Sequence, residues 1–293
     1  MAALTPRGKQ PHGADVGGTL ELIDFLCSAG VKGIALMGST GEFVNFSSEE
    51  RIRLVYLATK RSRVPVLAGV GHSTLDGALE LGREAVAAGA AGLLLMPPYF
   101  FRYQQDDLRQ FFLDFAAQVG KQVAIYLYNI PFFTTEIECE TAVGLLSTGL
   151  FAGIKDSSGS FDYFSRLKQI TTAHPFTLLV GNDVVFTRAR AAGADGVVSG
   201  VACAVPELML GLDAAIQSGN RARVDWLEAR LQEFIAWLDR FPTPVGVKAA
   251  AAARGLKIGP AAVPLSPSRQ KLLAEFQEWF RAWLPEIQRG GPA

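Results

Sequence analysis

Side chains that bind metals or form disulfides are scarce in this chain of 293 residues. The three cysteines lie far apart without a C-x-x-C spacing, and none of the three histidines pairs with a carboxylate or another histidine at ligand spacing. These residues are Cys27, Cys139, Cys203, His12, His72 and His174. Their scarcity predicts reduced thiols rather than a disulfide framework, and it argues against metal-dependent chemistry.

Net charge and long apolar runs are absent as well. Lys and Arg number 28, as do Asp and Glu, so a formal net charge of +0 gives no overall field that would attract nucleic acid or an anionic membrane. The longest apolar runs are far shorter than the ~18 residues that suggest a membrane span, and the first residues lack the apolar core of a secretory signal. We therefore predict a cytoplasmic protein with a small-molecule partner and no nucleic acid or membrane partner.

Short apolar segments recur along the chain. They cover residues 33–37, 65–70, 92–96, 123–128, 151–154, 176–180 and 196–199. Such brief, continuous apolarity is typical of parallel strands that are buried on both faces. Amphipathic stretches alternate with them, beginning with caps at residues 47–50 and 73–76 and continuing near residues 105–119, 138–146, 161–172 and 182–192. A strand spacing of roughly 22 to 34 residues predicts an α/β fold, the (β/α)8 TIM barrel.

The two ends of the chain depart from a regular barrel. Either the barrel opens with a first strand abbreviated to residues 1–4, or the chain is shortened at its start; residues 9–18 are polar and turn-like. Helical stretches near residues 206–217, 221–239, 245–253 and 267–284 follow the last strand. We predict a barrel over residues 1–218 and a C-terminal helical extension, packed on it, over residues 219–293. A doubly wound open sheet is the rival architecture, but no G-x-G-x-x-G follows the first strand.

All four tryptophans fall in the predicted extension. They are Trp226, Trp237, Trp279 and Trp283. We predict that they serve core packing or a subunit contact rather than ligand stacking.

Lys155 ends the apolar stretch at residues 151–154 and is followed by the polar, glycine-bearing run Asp156-Ser157-Ser158-Gly159. An ammonium where a buried strand meets a loop is poorly solvated, which favours the neutral amine that attacks carbonyl groups. Such a lysine can form an imine with a carbonyl substrate. The alternative is a solvated lysine at a strand end, paired with Asp156.

Two further strand ends carry polar side chains, and barrel active sites lie at these ends. In the run Gly38-Ser39-Thr40-Gly41-Glu42, backbone N–H groups and two hydroxyls can cradle a carboxylate, although a simple turn would look the same. Tyr128 ends the strand next to that of Lys155. Because adjacent strands lie ~4.8 Å apart, the phenol and the amine can meet over one substrate. Tyr128 is thus a candidate proton shuttle or, alternatively, a rim tyrosine bonded to water.

The strand ends at residues 38–42, 128–131 and 153–159, with the strand at residues 194–199, are similar to those of one known family. This chain resembles the dihydrodipicolinate synthase and N-acetylneuraminate lyase family of pyruvate-dependent class I aldolases, in motif order and approximate spacing. The resemblance extends over nearly the whole chain, including residues 242–248 in the helical tail. It implies a homotetramer built from tight dimers.

The resemblance also implies roles for particular residues. Lys155 would form the Schiff base with pyruvate or another 2-oxo acid, and Tyr128 would move protons to and from the reacting hydroxyl. Ser39 and Thr40 would hold the substrate carboxylate, with Thr40 also able to pass a proton toward Tyr128. The protonated imine is itself the electron sink, so no cofactor is needed.

Secondary candidates for substrate binding follow the next two strands. The run Gly181-Asn182-Asp183 lies where the family contacts the distal part of its substrate, and Val198 and Ser199 also face the barrel mouth. Asn182 fits equally well as a helix cap, the more common role of an asparagine just after a strand.

Two departures from the family pattern bear on the second substrate. In the family's synthases an arginine two residues past the Y-N-x-P proline grips the carboxylate of the aldehyde, whereas this chain has Phe133; losing that contact costs about 2–3 kcal/mol. Where the synthases supply a tyrosine across a dimer interface, this chain has Phe100, with Tyr99 beside it. Tyr99, Phe100 and Phe133 are therefore candidates for specificity. Phe100, Phe101, Phe132 and Phe133 would make an apolar mouth, or each could be a core residue.

These observations predict a Schiff-base lyase. The preferred reaction is reversible aldol cleavage of a 2-keto-3-deoxy sugar acid or a related hydroxy-oxo acid to pyruvate and an aldehyde. Dihydrodipicolinate synthase, a sugar-acid dehydratase using the same imine, and a metabolite-binding barrel without turnover are the alternatives.

Overall fold

The computed structural model describes residues 1–8 and 13–290. Its strands are β1 (Ile34–Leu36), β2 (Val66–Gly69), β3 (Gly92–Leu95), β4 (Ala124–Asn129), β5 (Gly153–Asp156), β6 (Thr177–Val180) and β7 (Gly196–Val197). The α-helices are α1 (Val16–Ser28), α2 (Ser48–Arg61), α3 (Leu75–Ala88), α4 (Gln105–Val119), α5 (Cys139–Leu146), α6 (Phe161–Ile170), α7 (Phe186–Ala191), α8 (Pro206–Ser218), α9 (Arg221–Leu238), α10 (Val245–Ala253) and α11 (Pro267–Gln288). Short 3-10 helices cover Phe43–Asn45, Gly120–Gln122, Asp183–Val185 and Val201–Cys203.

The strands form one parallel sheet in which sequence order is also spatial order, from β1 to β7. A helix between successive strands brings the chain back to start the next strand in the same direction. All the carboxyl ends of the strands therefore meet at one end of the barrel. At that end Tyr128 of β4 lies opposite Lys155 of β5, as their positions at the ends of successive strands predicted.

Residues 1–4 close this sheet into a ring. The backbone N–H of Ala2 donates to the carbonyl of Ser199, 2.8 Å away, while the N–H of Ala3 donates to the carbonyl of Ala35 at the same distance. The N–H of Ala35 donates in turn to the carbonyl of Met1 at 2.7 Å. Residues 1–4 thus lie between β7 and β1 as the eighth member of the ring, and the predicted TIM barrel is confirmed.

The local signals at two helix starts are confirmed. Ser47 and Glu50 form a capping box at α2: the Ser47 hydroxyl accepts from the Glu50 N–H, and the Glu50 carboxylate accepts from the Ser47 N–H. The Thr74 hydroxyl accepts from the N–H of Gly77 at the start of α3. Each side chain satisfies an N–H that has no partner within its helix.

Residues 9–18 were predicted as a turn. Residues 9–12 of that stretch lie outside the described residues, and for residues 16–18 the prediction is wrong because α1 begins at Val16. The carboxylate of Asp15 accepts a hydrogen bond of 3.0 Å from the Gly18 N–H. This cap stabilises a helix start whose two glycines disfavour it.

The helices after β7 include α8 and then three more, α9 to α11. Aromatic rings from α9 and α11 pack together: Phe234, Trp237, Phe276, Trp279, Phe280 and Trp283. The Trp283 indole N–H donates to Glu233 at 3.0 Å. Trp237, Trp279 and Trp283 therefore serve core packing, while Trp226 is partly buried against the same core. The division of the chain at residue 218 stays a prediction.

None of the helices within residues 1–8 and 13–290 combines the length and the hydropathy of a membrane span.

Candidate active site

The neighbouring ends of β4 and β5 bring Lys155 against Tyr128. The Nζ of Lys155 lies 3.9 Å from the centroid of the Tyr128 ring, over its face. Both residues are buried, Lys155 with 3% of its surface exposed. The amine is thus shielded from bulk water but close to a phenol, as proton-assisted carbonyl chemistry requires.

The Tyr128 hydroxyl lies 3.0 Å from the Ser39 Oγ, a hydrogen bond in which either oxygen can donate. The turn after β1 supplies Ser39, and the backbone N–H of Glu42 closes that turn by donating to the Ser39 carbonyl at 3.0 Å. Thr40 lies beside Gly200, where an added Cβ would come within 3.2 Å of the Thr40 Oγ1. The hydroxyl that bonds Tyr128 in this structure is therefore that of Ser39.

Asp156 faces away from the amine of Lys155 and stabilises the strand ends instead. Its Oδ1 accepts from the Asn129 Nδ2 at 2.8 Å and from the Ser158 N–H at 3.1 Å. Its Oδ2 accepts from the Ser158 hydroxyl at 2.8 Å. Burial raises the pKa of Asp156, and these hydrogen bonds oppose the rise. The structure therefore contradicts the alternative prediction, in which Lys155 is solvated and paired with Asp156.

Gly181, at the end of β6, makes room for the lysine. A Cβ at this position would lie 2.7 Å from the Lys155 Cε and 2.1 Å from the Ser157 Oγ. Its own N–H donates to the Asp156 carbonyl at 2.6 Å. Gly181 therefore contributes to the site by lacking a Cβ, which leaves room for the Lys155 side chain.

The other two secondary candidates have structural contacts. The Oδ1 of Asn182 accepts from the Val184 N–H at 3.1 Å and so caps the 3-10 helix Asp183–Val185, in agreement with the cap interpretation. Val198 is buried, and its N–H donates to the Val180 carbonyl at 2.8 Å. These contacts are with backbone groups rather than with Lys155 or Tyr128, and the substrate roles of Asn182 and Val198 stay predictions.

Asp183 is a charged neighbour of Lys155. The sequence alone indicated it only as the last residue of the run Gly181-Asn182-Asp183. Its Oδ2 accepts from the Val201 N–H at 3.2 Å. Burial raises the pKa of this carboxyl, while hydrogen bonds and the nearby positive charge of Lys155 oppose the rise. Asp183 follows the end of β6 by three residues, and only the fold shows that it lies close to Lys155.

The candidates for specificity line a cavity of about 590 Å³ beside Ser39. Tyr99 packs edge-on against Phe43, with ring centroids 5.4 Å apart, and is partly buried. Phe100 and Phe133 are 86% and 56% exposed. Phe101 and Phe132 are exposed as well, so core packing is the wrong explanation for these four phenylalanines. Phe100 also has a positive φ of 84°, which is strained for a side-chain-bearing residue.

Two parts of the site had no signal in the sequence reasoning. The Lys248 Nζ of α10 lies 2.5 Å from the Glu42 Oε2, a nearly buried ion pair that attaches the helical tail to the turn after β1. Residues 261–266 of the tail form one wall of the cavity. Both are contacts between segments far apart in the chain, so a local pattern could not reveal them. Within the described ranges, no cluster of three His, Cys, Asp or Glu side chains could hold a metal ion.

Comparison with known proteins agrees with this geometry. The model of the Dihydrodipicolinate synthetase family matches residues 10–282. A 4-hydroxy-tetrahydrodipicolinate synthase of Methanothrix thermoacetophila is 32% identical over 278 residues, covering 94% of this chain and 93% of the relative. A DapA-like lyase of Halobacterium salinarum is 33% identical over 255 residues, covering 86% of this chain and 82% of the relative.

Solved structures are similar over the whole barrel and tail. The 4-hydroxy-tetrahydrodipicolinate synthase of Methylacidiphilum fumariolicum SolV superposes with a TM-score of 0.88 at 28% identity, covering 99% of this chain and 97% of the other. A sialic acid aldolase of Ruminococcus gnavus, at 21% identity and a TM-score of 0.86, covers 98% of this chain and 96% of the other and shares the fold. The chain belongs to the dihydrodipicolinate synthetase family and is a class I, pyruvate-dependent lyase.

Proposed function

We propose that the protein cleaves a 4-hydroxy-2-oxo acid reversibly to pyruvate and an aldehyde through a Schiff base on Lys155. The class includes 2-keto-3-deoxy sugar acids and related hydroxy-oxo acids. The main support is the buried Lys155 amine, 3.9 Å from the ring centroid of Tyr128, whose hydroxyl bonds Ser39. A nucleophile and a proton carrier thus meet at one strand end, as this chemistry needs.

The cleavage begins when the Lys155 amine attacks the keto carbon and water is lost to give an iminium. Tyr128 takes the proton of the hydroxyl on the fourth carbon and passes its own proton to Ser39, its hydrogen-bond partner. The bond between the third and fourth carbons breaks, its electron pair forms an enamine, and the aldehyde leaves. The enamine takes up a proton, and water hydrolyses the iminium to release pyruvate and free Lys155.

Ser39 and Thr40 bind the carboxylate of the 2-oxo acid in this proposal. They lie in the turn after β1, across the barrel mouth from β5. The Ser39 hydroxyl is hydrogen-bonded to that of Tyr128, and Ser39 also lines the cavity. A proton passed from Tyr128 to Ser39 can therefore reach solvent through the cavity.

Reduction with borohydride in the presence of pyruvate tests the proposal directly. The expected product is a stable pyruvate adduct on Lys155, located by peptide mass mapping, and no adduct in Lys155→Ala. A wild-type protein that forms no adduct would contradict the enzymatic proposal and favour a metabolite-binding barrel. Loss of water from a sugar acid without release of pyruvate would favour the dehydratase.

Condensation of pyruvate with aspartate semialdehyde is the second candidate. Its support is the name 4-hydroxy-tetrahydrodipicolinate synthase carried by relatives at 32% identity. Against it stands Phe133, because a phenyl ring cannot form the paired hydrogen bonds that a guanidinium makes with a carboxylate. Rapid turnover of aspartate semialdehyde would show that Phe133 does not exclude this reaction.

A homotetramer in the cytoplasm completes the proposal, and family resemblance supports it. Sedimentation equilibrium of the purified chain measures the subunit number. A single species at the mass of one chain would contradict the tetramer.

A further inference from the structure

The cavity beside Ser39 has walls from several distant parts of the chain. Phe100 and Phe133 come from the loops after β3 and β4, Val44 comes from the loop after β1, and residues 261–266 come from the tail. Its volume of about 590 Å³ is within the usual range of ligand pockets. Ser39 lies on its wall while bonding Tyr128, so the cavity adjoins the proposed reaction site.

The charged groups on this cavity offer little to a polar ligand. The carboxylate of Glu42 is paired with the Lys248 ammonium at 2.5 Å. Arg269 lies at the exposed rim, where its Nη1 donates to the Arg240 carbonyl at 2.7 Å. A buried cation positioned to hold a carboxylate deep in the cavity is therefore absent from the lining that the structure describes.

Tyr99, Thr134, Thr243 and Ser266 also bring hydroxyl groups to the lining, and two of these hydroxyls are already engaged. The Thr134 Oγ1 already donates toward the carbonyls of Ile130 and Thr135, at 3.2 and 3.1 Å. Ser266 is occupied as the N-cap of α11. A polyhydroxylated chain that moved from water into this cavity would lose more hydrogen bonds than these few groups can replace, whereas an apolar group would gain from burial.

We propose that this cavity binds an apolar substituent, of the size of a phenyl ring, on the aldehyde half of the substrate. The inference rests on the proposed function and narrows its substrate class, from 4-hydroxy-2-oxo acids in general to those whose fourth carbon carries an apolar group rather than the polyol of a sugar acid. Cleavage breaks the bond between the pyruvate methyl carbon and the hydroxyl-bearing carbon, and the latter leaves as an aldehyde that carries the apolar group. Phe100 and Phe133 surround that group in both substrate and product.

Cleavage of three matched compounds tests this specificity. They are the aldol products of pyruvate with benzaldehyde, with glyceraldehyde and with succinic semialdehyde, which differ in carrying a ring, a polyol or a carboxylate. We expect kcat/KM for the first to exceed the others by about tenfold or more, as apolar pockets discriminate. Equal values, or a preference for the polyol or the carboxylate, would overturn the inference.

Two neighbouring pairs of phenylalanines provide matched variants. Phe133 and Phe100 line the cavity, whereas Phe132 and Phe101, which are also exposed on the same loops, do not. Phe133→Ser and Phe100→Ser should each raise KM for the benzaldehyde-derived compound by about fivefold or more through lost apolar contact. Phe132→Ser and Phe101→Ser should leave it within about twofold. An equal effect of all four variants would overturn the proposal.

The experiment also separates this inference from two other outcomes. If borohydride traps pyruvate on Lys155 but the three compounds are cleaved equally well, only the apolar specificity is wrong. If no pyruvate is trapped, the proposed function itself is wrong. If Phe100→Ser and Phe133→Ser change the sedimentation coefficient and leave KM unchanged, the cavity is a contact with a second copy of the chain.

Discussion

At the residue scale, the hydroxyl of Tyr128 serves proton transfer but not imine formation in the proposed mechanism, so its removal separates the two steps. Tyr128→Phe keeps the ring 3.9 Å from the Lys155 Nζ but removes the partner of Ser39. We expect borohydride trapping of pyruvate to persist while turnover falls by about a hundredfold to ten-thousandfold. Tyr126→Phe, which removes a hydroxyl two residues before Tyr128 on the same strand, is the control. Wild-type turnover in Tyr128→Phe would remove Tyr128 from the mechanism.

Gly181 gives a second prediction at this scale. In Gly181→Ala the new Cβ would lie 2.7 Å from the Lys155 Cε, so the amine must move. We expect the rate of adduct formation with pyruvate to fall by about a hundredfold, because misplacing a nucleophile by an ångström is costly. In Gly196→Ala the new Cβ would lie 3.7 Å from the Leu179 Cδ2, an ordinary contact, and the rate should be unchanged. Equal rates for both variants would contradict the role given to Gly181.

Sequence reasoning succeeded for residues whose position follows from strand alternation and order. Lys155 and Tyr128 end adjacent strands, so their proximity was predictable. The choice between Ser39 and Thr40 as the partner of Tyr128 depends on a backbone turn that the residue types alone do not specify. The exposure of Phe133 and the nearness of Asp183 to Lys155 depend on loop paths, which a local pattern does not encode.

At the scale of elements, the pair between Glu42 and Lys248 joins α10 to the turn after β1. Their side chains are only 10% and 6% exposed. Lys248→Met leaves the Glu42 carboxylate buried and unpaired, which should lower the free energy of unfolding by about 3 kcal/mol or more. Urea unfolding measures this change, and Glu42→Gln combined with Lys248→Met should recover part of it.

Lys257→Met is the matched control for that prediction. Lys257 pairs with Glu21 at 2.6 Å, but both side chains are largely exposed, so its loss should change stability little. If the two lysine variants unfold at the same urea concentration, the buried pair does not stabilise the attachment of α10.

Most of the elements were predictable from apolar periodicity and caps. The strands lie within about two residues of their predicted bounds, and α2 begins at its predicted serine cap. The helix α1 was missed at its start because Gly17 and Gly18 disfavour a helix, and the stabilising contact comes from the preceding Asp15. A single capping side chain is a weaker signal than two adjacent glycines.

At the scale of the whole molecule, stability should depend on the protonation of a buried thiol. Burial raises the pKa of Cys203 to about 12 from a usual value of 9.0. The folded state keeps a proton that the unfolded state releases, so the free energy of unfolding falls as pH rises from the lower value toward the higher one. One proton corresponds to about 1.4 kcal/mol per pH unit.

Cys203→Ser isolates this contribution, because serine does not titrate in that range and can accept from the Leu4 N–H as Cys203 does. Above pH ~9 we expect the unfolding free energy of this variant to fall less steeply with pH than that of wild type. The difference in slope should be at most that of one proton, about 1.4 kcal/mol per pH unit. Cys27→Ser, at a partly exposed cysteine, should keep the wild-type slope. Identical slopes in all three proteins would show that Cys203 does not control alkaline stability.

The ion pair between Glu42 and Lys248 also has a consequence for biosynthesis. Its partners are 206 positions apart in the chain. The turn that carries Ser39 therefore leaves the ribosome well before the helix that anchors it, and an incomplete chain holds that turn without its support. Nascent chains that end before α10 should therefore be poor at capturing pyruvate, and affinity for pyruvate should appear only as synthesis nears completion.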